Sequence, residues 1–135
     1  MTRVTGATVP PMKADATQPV CYVSTNGRVS GRDHTIEIWY VEHAGCIYLL
    51  SGYGLRADWV KNVQANPEVT VAIAPAGPQG ERSTPATYRA TVGPFPDEMQ
   101  VRQTIEARYR GWQSGQPLSA WAAESLVVCL CPSPG

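Results

Sequence analysis

Apolar positions recur along this chain at two spacings. From His34 to Glu42 they alternate, with Ile36, Ile38 and Tyr40 on one side and Thr35, Glu37, Trp39 and Val41 on the other. That is the period of a strand whose first face lies in a core. Cys46 to Ser51 is nearly all apolar and reads as a central strand buried on both sides. Strand patterns also begin at Pro19 and cover Val69 to Ala74, Ala86 to Val92 and Leu126 to Cys131. Helical spacing is clearest after Asp97, where Val101, Ile105, Tyr109 and Trp112 make one stripe and predict a helix from Glu98 to about Trp112. A shorter helix is expected from Trp59 to about Ala65, capped by Asp58 and stopped by Asn66-Pro67, and a helical turn carrying Trp121 is expected within Leu118 to Glu124.

The predicted order is β-β-β-α-β-β-α-β. Mostly hairpin links and two or three helices point to a mainly β (α+β) fold of about six strands, closed as a small antiparallel barrel because closure removes exposed edges. The 135 residues suit one domain. Residues 1–18, rich in Thr, Ala and Pro, read as a flexible arm, and 19–135 as the barrel domain. Leu126 to Cys131 suits either an edge that pairs in a homodimer or a strand buried by the barrel.

Charge narrows the partners. Eleven Lys and Arg balance eleven Asp and Glu, so long-range attraction to nucleic acid or an anionic membrane is not expected. Met1 to Gln18 has no apolar signal core and no stretch reaches a membrane span, so a cytoplasmic protein is expected. Cys21, Cys46, Cys129 and Cys131 lack Cys-x-x-Cys spacing and read as buried free thiols. A zinc set of Cys129 and Cys131 with Cys21 and Cys46 is the other geometry they allow. Apart from it no metal is expected.

The candidate chemistry gathers between Ser24 and Asn66. The loop after Asn26-Gly27 carries Arg28, Ser30, Gly31 and Arg32, with Thr25, His34 and Thr35 at its rim. It reads equally as an anion cradle or a solvated hairpin tip. Arg56 and Lys61 bring cations to the start of the short helix, whose free N–H groups favour anions, although Asp58 opposes them. Trp39, Tyr53 and Trp59 suit either a wall for a flat ring or core filling. His34 and His43 are too isolated for a catalytic pair, and no catalytic residue is assigned.

The segments GRVSGRDHTIEIWYVE, YLLSGYG, DWVKNVQANPEVTV and RYRGWQSGQPLSAW, with LVVCL, together resemble the deazaflavin-dependent nitroreductase family, which are split β-barrel proteins. The resemblance covers roughly Cys21 to Leu130. It implies a split barrel and an oxidoreductase that passes hydride from the reduced deazaflavin coenzyme F420 to a nitroaromatic, quinone or enone. By matched positions, Arg28 and Ser30 would hold the cofactor's phosphate and acidic tail. His34, Thr35, Ile36, Glu37, Ile38 and Trp39 would line it, Leu50, Ser51 and Gly52 would approach the ring, and Asp58, Trp59, Lys61 and Asn62 would close the site. Tyr109, Trp112 and Trp121 would lie near the acceptor. Val29 stands where many relatives carry a cation and Asp33 where Pro is common. The alternative is a non-catalytic barrel that binds FMN, haem or a lipid-like ligand.

Overall fold

The computed structural model describes residues 18–74 and 82–133; the expected N-terminal arm lies outside them except for Gln18. Among the described residues seven strands occur in chain order: β1 Val20–Asn26, β2 Asp33–Ile38, β3 Val41–His43, β4 Cys46–Ser51, β5 Glu68–Ala74, β6 Ala86–Val92 and β7 Leu126–Pro132. Three α-helices accompany them, α1 Asp58–Ala65, α2 Glu98–Arg110 and α3 Ala120–Glu124, and a 3-10 turn, Gly54–Arg56, precedes α1. All strand pairs are antiparallel. The sheet order β2-β1-β5-β6-β7-β4-β3 makes β2 and β3, consecutive in the chain, the two opposite edges of one curled sheet. The fold is a mainly β half-barrel. None of the described helices is long and apolar enough to cross a membrane.

Alternation along the strands divides the burial between two cores. Val23, Ile36, Ile38, Ile47, Leu49, Val71, Val128 and Leu130 fill the inside of the curl together with Trp59, Val60 and Val63 of α1. Leu50 and Val127, pointing the other way, pack with Val41 under Val101, Ile105 and Tyr109 of α2. β4 therefore feeds both cores, which explains its uninterrupted apolar sequence.

Several expectations change. His34 to Glu42 is not one strand, because Tyr40 is recruited by α2. Its N–H donates to the Tyr109 hydroxyl at 3.2 Å, and its carbonyl accepts from Arg108 at 2.8 Å. Those two groups would otherwise have continued the ladder. α2 ends at Arg110 rather than Trp112, since Gly111 takes a left-handed φ of 72° and its N–H closes onto the Ala107 carbonyl. Asp58 is the first helical residue of α1, not its cap; Ala57 holds the cap position without a side-chain bond. β7 pairs with both β6 and β4, so it is an interior strand and offers no edge to a second copy. The cysteines are not all free, because Cys46 and Cys131 form a disulfide while Cys21 and Cys129 remain thiols.

Candidate functional site

The loop between β1 and β2 is folded back on itself and then pinned to α1. Gly27 donates to the Arg32 carbonyl at 2.8 Å, and Gly31 donates to the Gly27 carbonyl at 2.8 Å. A Cβ at Gly27 would lie 2.7 Å from the Arg32 carbonyl and 2.9 Å from the His34 ring, so this return needs glycine. Ser30 Oγ accepts from the Arg32 N–H at 3.2 Å, which stiffens the tip.

Asn62 is the anchor, 3% exposed on the inner face of α1. Its Oδ1 accepts from the Arg28 guanidinium at 2.8 Å and from the Arg28 N–H at 3.3 Å, while its Nδ2 donates to Thr25 Oγ1 at 3.0 Å. The same guanidinium reaches Asp58 Oδ1 at 3.3 Å. Arg28 is thus engaged by the protein itself and sets the position of the loop. Arg32, Arg56 and Lys61 are exposed and form no ion pair among the described residues. Arg32 lies in this loop, Arg56 in the turn before α1 and Lys61 on α1, charges suited to an anionic group, although Asp33 and Asp58 are exposed beside them.

The remaining candidates divide by burial. Ser30, His34, Gly52, Asp58 and Lys61 are exposed, and Thr35, Glu37 and Trp39 are half-buried. Thr35 Oγ1 lies 2.7 Å from Ser24 Oγ, and the Glu37 carboxylate accepts from the Tyr22 hydroxyl at 3.2 Å. Ile36, Ile38, Leu50, Ser51 and Trp59 have buried side chains. Ser51 donates to the Gly54 carbonyl at 3.1 Å, whereas the Trp59 indole N–H has no partner among the described residues. An orphaned buried donor is uncommon and is satisfied most simply by an acceptor brought to it.

The aromatic residues lie on the other side of the sheet. Trp39 stacks on Tyr109 with centroids 4.5 Å apart and meets Trp121 edge-on at 5.5 Å. Tyr109 is 0% exposed, and its hydroxyl donates to the Pro19 carbonyl at 2.6 Å. Its ring is inaccessible in this structure, and burial pushes its phenol well above the ordinary range. Trp112 is half-buried with its indole N–H donated to the Gln116 carbonyl at 2.9 Å. A separate cavity of about 380 Å³ lies between Gly54-Leu55, Gly93-Pro94 and the start of β7. Arg102 on its wall is already committed to the Ala122 and Ser125 carbonyls and to Glu98.

Two features of this region were missed by sequence reasoning. Thr25, expected at the rim as a donor, is instead a buried partner of Asn62. Glu106, beside rather than on the predicted apolar stripe, is 4% exposed and binds Ser119 through both its backbone N–H and its hydroxyl. Its i,i+4 partner Arg110 was the only signal available.

Among solved structures, an F420 reductase aligns with a TM-score of 0.56 at 18% identity, covering 93% of this chain and 97% of that one. The haem storage protein HutZ from Vibrio cholerae aligns at 0.63 and 16%, covering 86% and 82%. An FAD-binding protein from Mesorhizobium loti aligns at 0.58 and 17%, covering 88% and 85%. At these identities the likeness establishes the fold alone. No curated protein matches the sequence significantly. The family profile for F420H(2)-dependent quinone reductase matches residues 2–115, which takes in the pinned loop, β2, α1 and all of α2. By that match the chain belongs to the F420H(2)-dependent quinone reductase family and is an oxidoreductase.

Proposed function

We propose that this protein reduces a small activated acceptor with hydride from reduced F420, with a quinone as the first choice and a nitroaromatic or enone as the others. The observation that supports it best is the division of labour around the β1–β2 loop. Arg28 and Asn62 fix the loop against α1, and Arg32 in the loop, Arg56 in the turn before α1 and Lys61 on α1 form no ion pair among the described residues. The cofactor's acidic tail is matched to those cations, with Ser30, His34 and Thr35 as further donors. Because β2 is a sheet edge, the backbone groups of every second residue, which face away from β1, are available to a ligand lying along it. Gly52, exposed at the end of β4, suits the approach of the flat ring there.

When bound, the reduced deazaflavin supplies the hydride, and the protein supplies binding, orientation and electrostatics. The Asp58 carboxylate, 3.3 Å from Arg28, partly offsets that charge, which leaves Arg32, Arg56 and Lys61 as the cations offered to the tail. The reading also implies residence in the cytoplasm, in company with a pool of reduced cofactor.

The test is a fluorescence titration of the protein with F420, FMN and haem, followed by addition of a quinone to the reduced complex. Saturable binding of F420, and its quinone-dependent reoxidation, are expected. No saturable F420 binding, with tight binding of FMN or haem instead, would overturn the proposal in favour of a binding protein on the same barrel.

A further inference from the structure

A second set of chemically distinctive side chains lies at the far end of β4 from Gly52. The two ends of this strand are separated by about 17 Å at the ordinary rise per residue. In the β4–β7 ladder Ile47 faces Leu130 and Tyr48 faces Cys129, so one step further Cys46 faces Cys131. Their Cα atoms are 4.5 Å apart and their sulfurs are bonded. Cys129 lies two residues back on β7 and therefore on the same face of the sheet. Its Sγ is 3.5 Å from that of Cys131. All three sulfurs lie within 4.8 Å of one another.

Three sulfurs held by two paired strands are more than a disulfide requires. From this geometry we propose that the reduced protein binds a thiophilic d10 cation, zinc in the first instance, through the thiolates of Cys46, Cys129 and Cys131. An external thiol or phosphine reductant supplies two electrons, the Cys46–Cys131 bond breaks, and two thiols form with two protons from solvent. The cation then replaces the thiol protons as it binds. Zinc–thiolate bonds of about 2.3 Å in a tetrahedron set the sulfurs about 3.8 Å apart. Cys129 and Cys131 are already near that spacing at 3.5 Å. Cys46 needs only a side-chain rotation away from Cys131.

The surroundings match an ion site. Cys46 and Cys131 are half-buried, which leaves the fourth position to water, while Cys129 is buried beneath them. Tyr48 stands directly across the ladder from Cys129, on the same face of the sheet, and serves as an outer-shell neighbour of that ligand. Cys21 takes no part, since it lies in the inner core with Val23 and Ile38. The four-cysteine set conceivable from the sequence is thereby reduced to three.

The full chain, reduced with a phosphine, stripped of metal and kept anaerobic, is titrated with Co(II) and then with Zn(II) against a chromophoric chelator. One equivalent of Co(II) is expected to give sulfur-to-cobalt charge-transfer absorption, displaced by one equivalent of Zn(II), while the disulfide form gives none. Cys129→Ser and Cys46→Ser should each weaken zinc binding at least tenfold, and Cys21→Ala should leave it unchanged. Cys46 opens β4 and is half-buried, so its variant reports even where the buried Cys129 variant is unstable. Absence of thiolate absorption in the reduced chain, equal binding by the disulfide form, or wild-type affinity in Cys46→Ser would each overturn the proposal.

Discussion

At the scale of single residues, the loop that carries the candidate site depends on one amide. Asn62 is buried and serves Arg28 and Thr25 together. Asn62→Ala should therefore cost about 2–3 kcal/mol in urea unfolding, because it strands a buried hydroxyl and releases the loop. Arg28→Ala removes a partner that is part-exposed, and about 1 kcal/mol is expected. Its larger effect should be on cofactor affinity, through a loop no longer held in place. The outer cations should behave in the opposite way. Arg32→Ala and Lys61→Ala should leave the melting temperature unchanged and weaken F420 binding about tenfold each, the equivalent of 1.4 kcal/mol. That loss should shrink in high salt, since the contacts are at the surface. A melting temperature that falls while affinity holds would assign these two side chains to the fold instead.

At the scale of elements, the link from α2 to α3 rests on Glu106. Its carboxylate pairs with Arg110 at 2.9 Å and accepts from the Ser119 N–H at 2.6 Å, just before α3 begins. Glu106→Ala would leave the Arg110 charge buried without this partner, and a loss of about 3 kcal/mol is expected from urea denaturation. Protease cleavage between residues 111 and 119 should rise with it, whereas Glu106→Gln should retain part of the anchoring. The same helix shows where sequence patterns stop being informative. The stripe of Val101, Ile105 and Tyr109 was legible because burial follows helical period, and all three are buried. What Tyr109 does with its hydroxyl was not legible. It meets Pro19 and Tyr40, which lie far off in the chain, and in doing so divides one strand pattern into β2 and β3.

At the scale of the whole molecule, two global properties follow from buried thiols and phenols. The Cys46–Cys131 link spans 85 residues of sequence. Closing a loop of that size restricts the unfolded chain by roughly 4 kcal/mol, so reduction should lower the urea midpoint substantially. The alkaline limb has a definite sign. Burial raises the Cys129 thiol above 9.0, and the hydrogen bond to Cys129 followed by burial raises the Tyr48 phenol from 10.0 to about 12. Cys21, Tyr40 and Tyr109 shift the same way, chiefly by burial. The folded state thus keeps protons that the unfolded chain releases, and stability is full below pH 9 and falls as pH rises toward 12. Urea midpoints measured upward from pH 8 should decline, and Tyr48→Phe should flatten the part of that decline above pH 10.

The sequence by itself determined the strand and helix periods, the antiparallel hairpin character and the family, because these rest on local alternation, turn residues and contiguous motifs. It also placed the polar positions of the candidate site on neighbouring turns. Only the tertiary structure decided which of those positions are available. Arg28 turns inward to Asn62 while Arg32 and Lys61 remain outside, a choice made by the packing of a loop on a helix more than 30 residues away. Cys46 likewise found Cys131 through the β4–β7 register, and a register between distant strands is set by the whole sheet rather than by any segment of it.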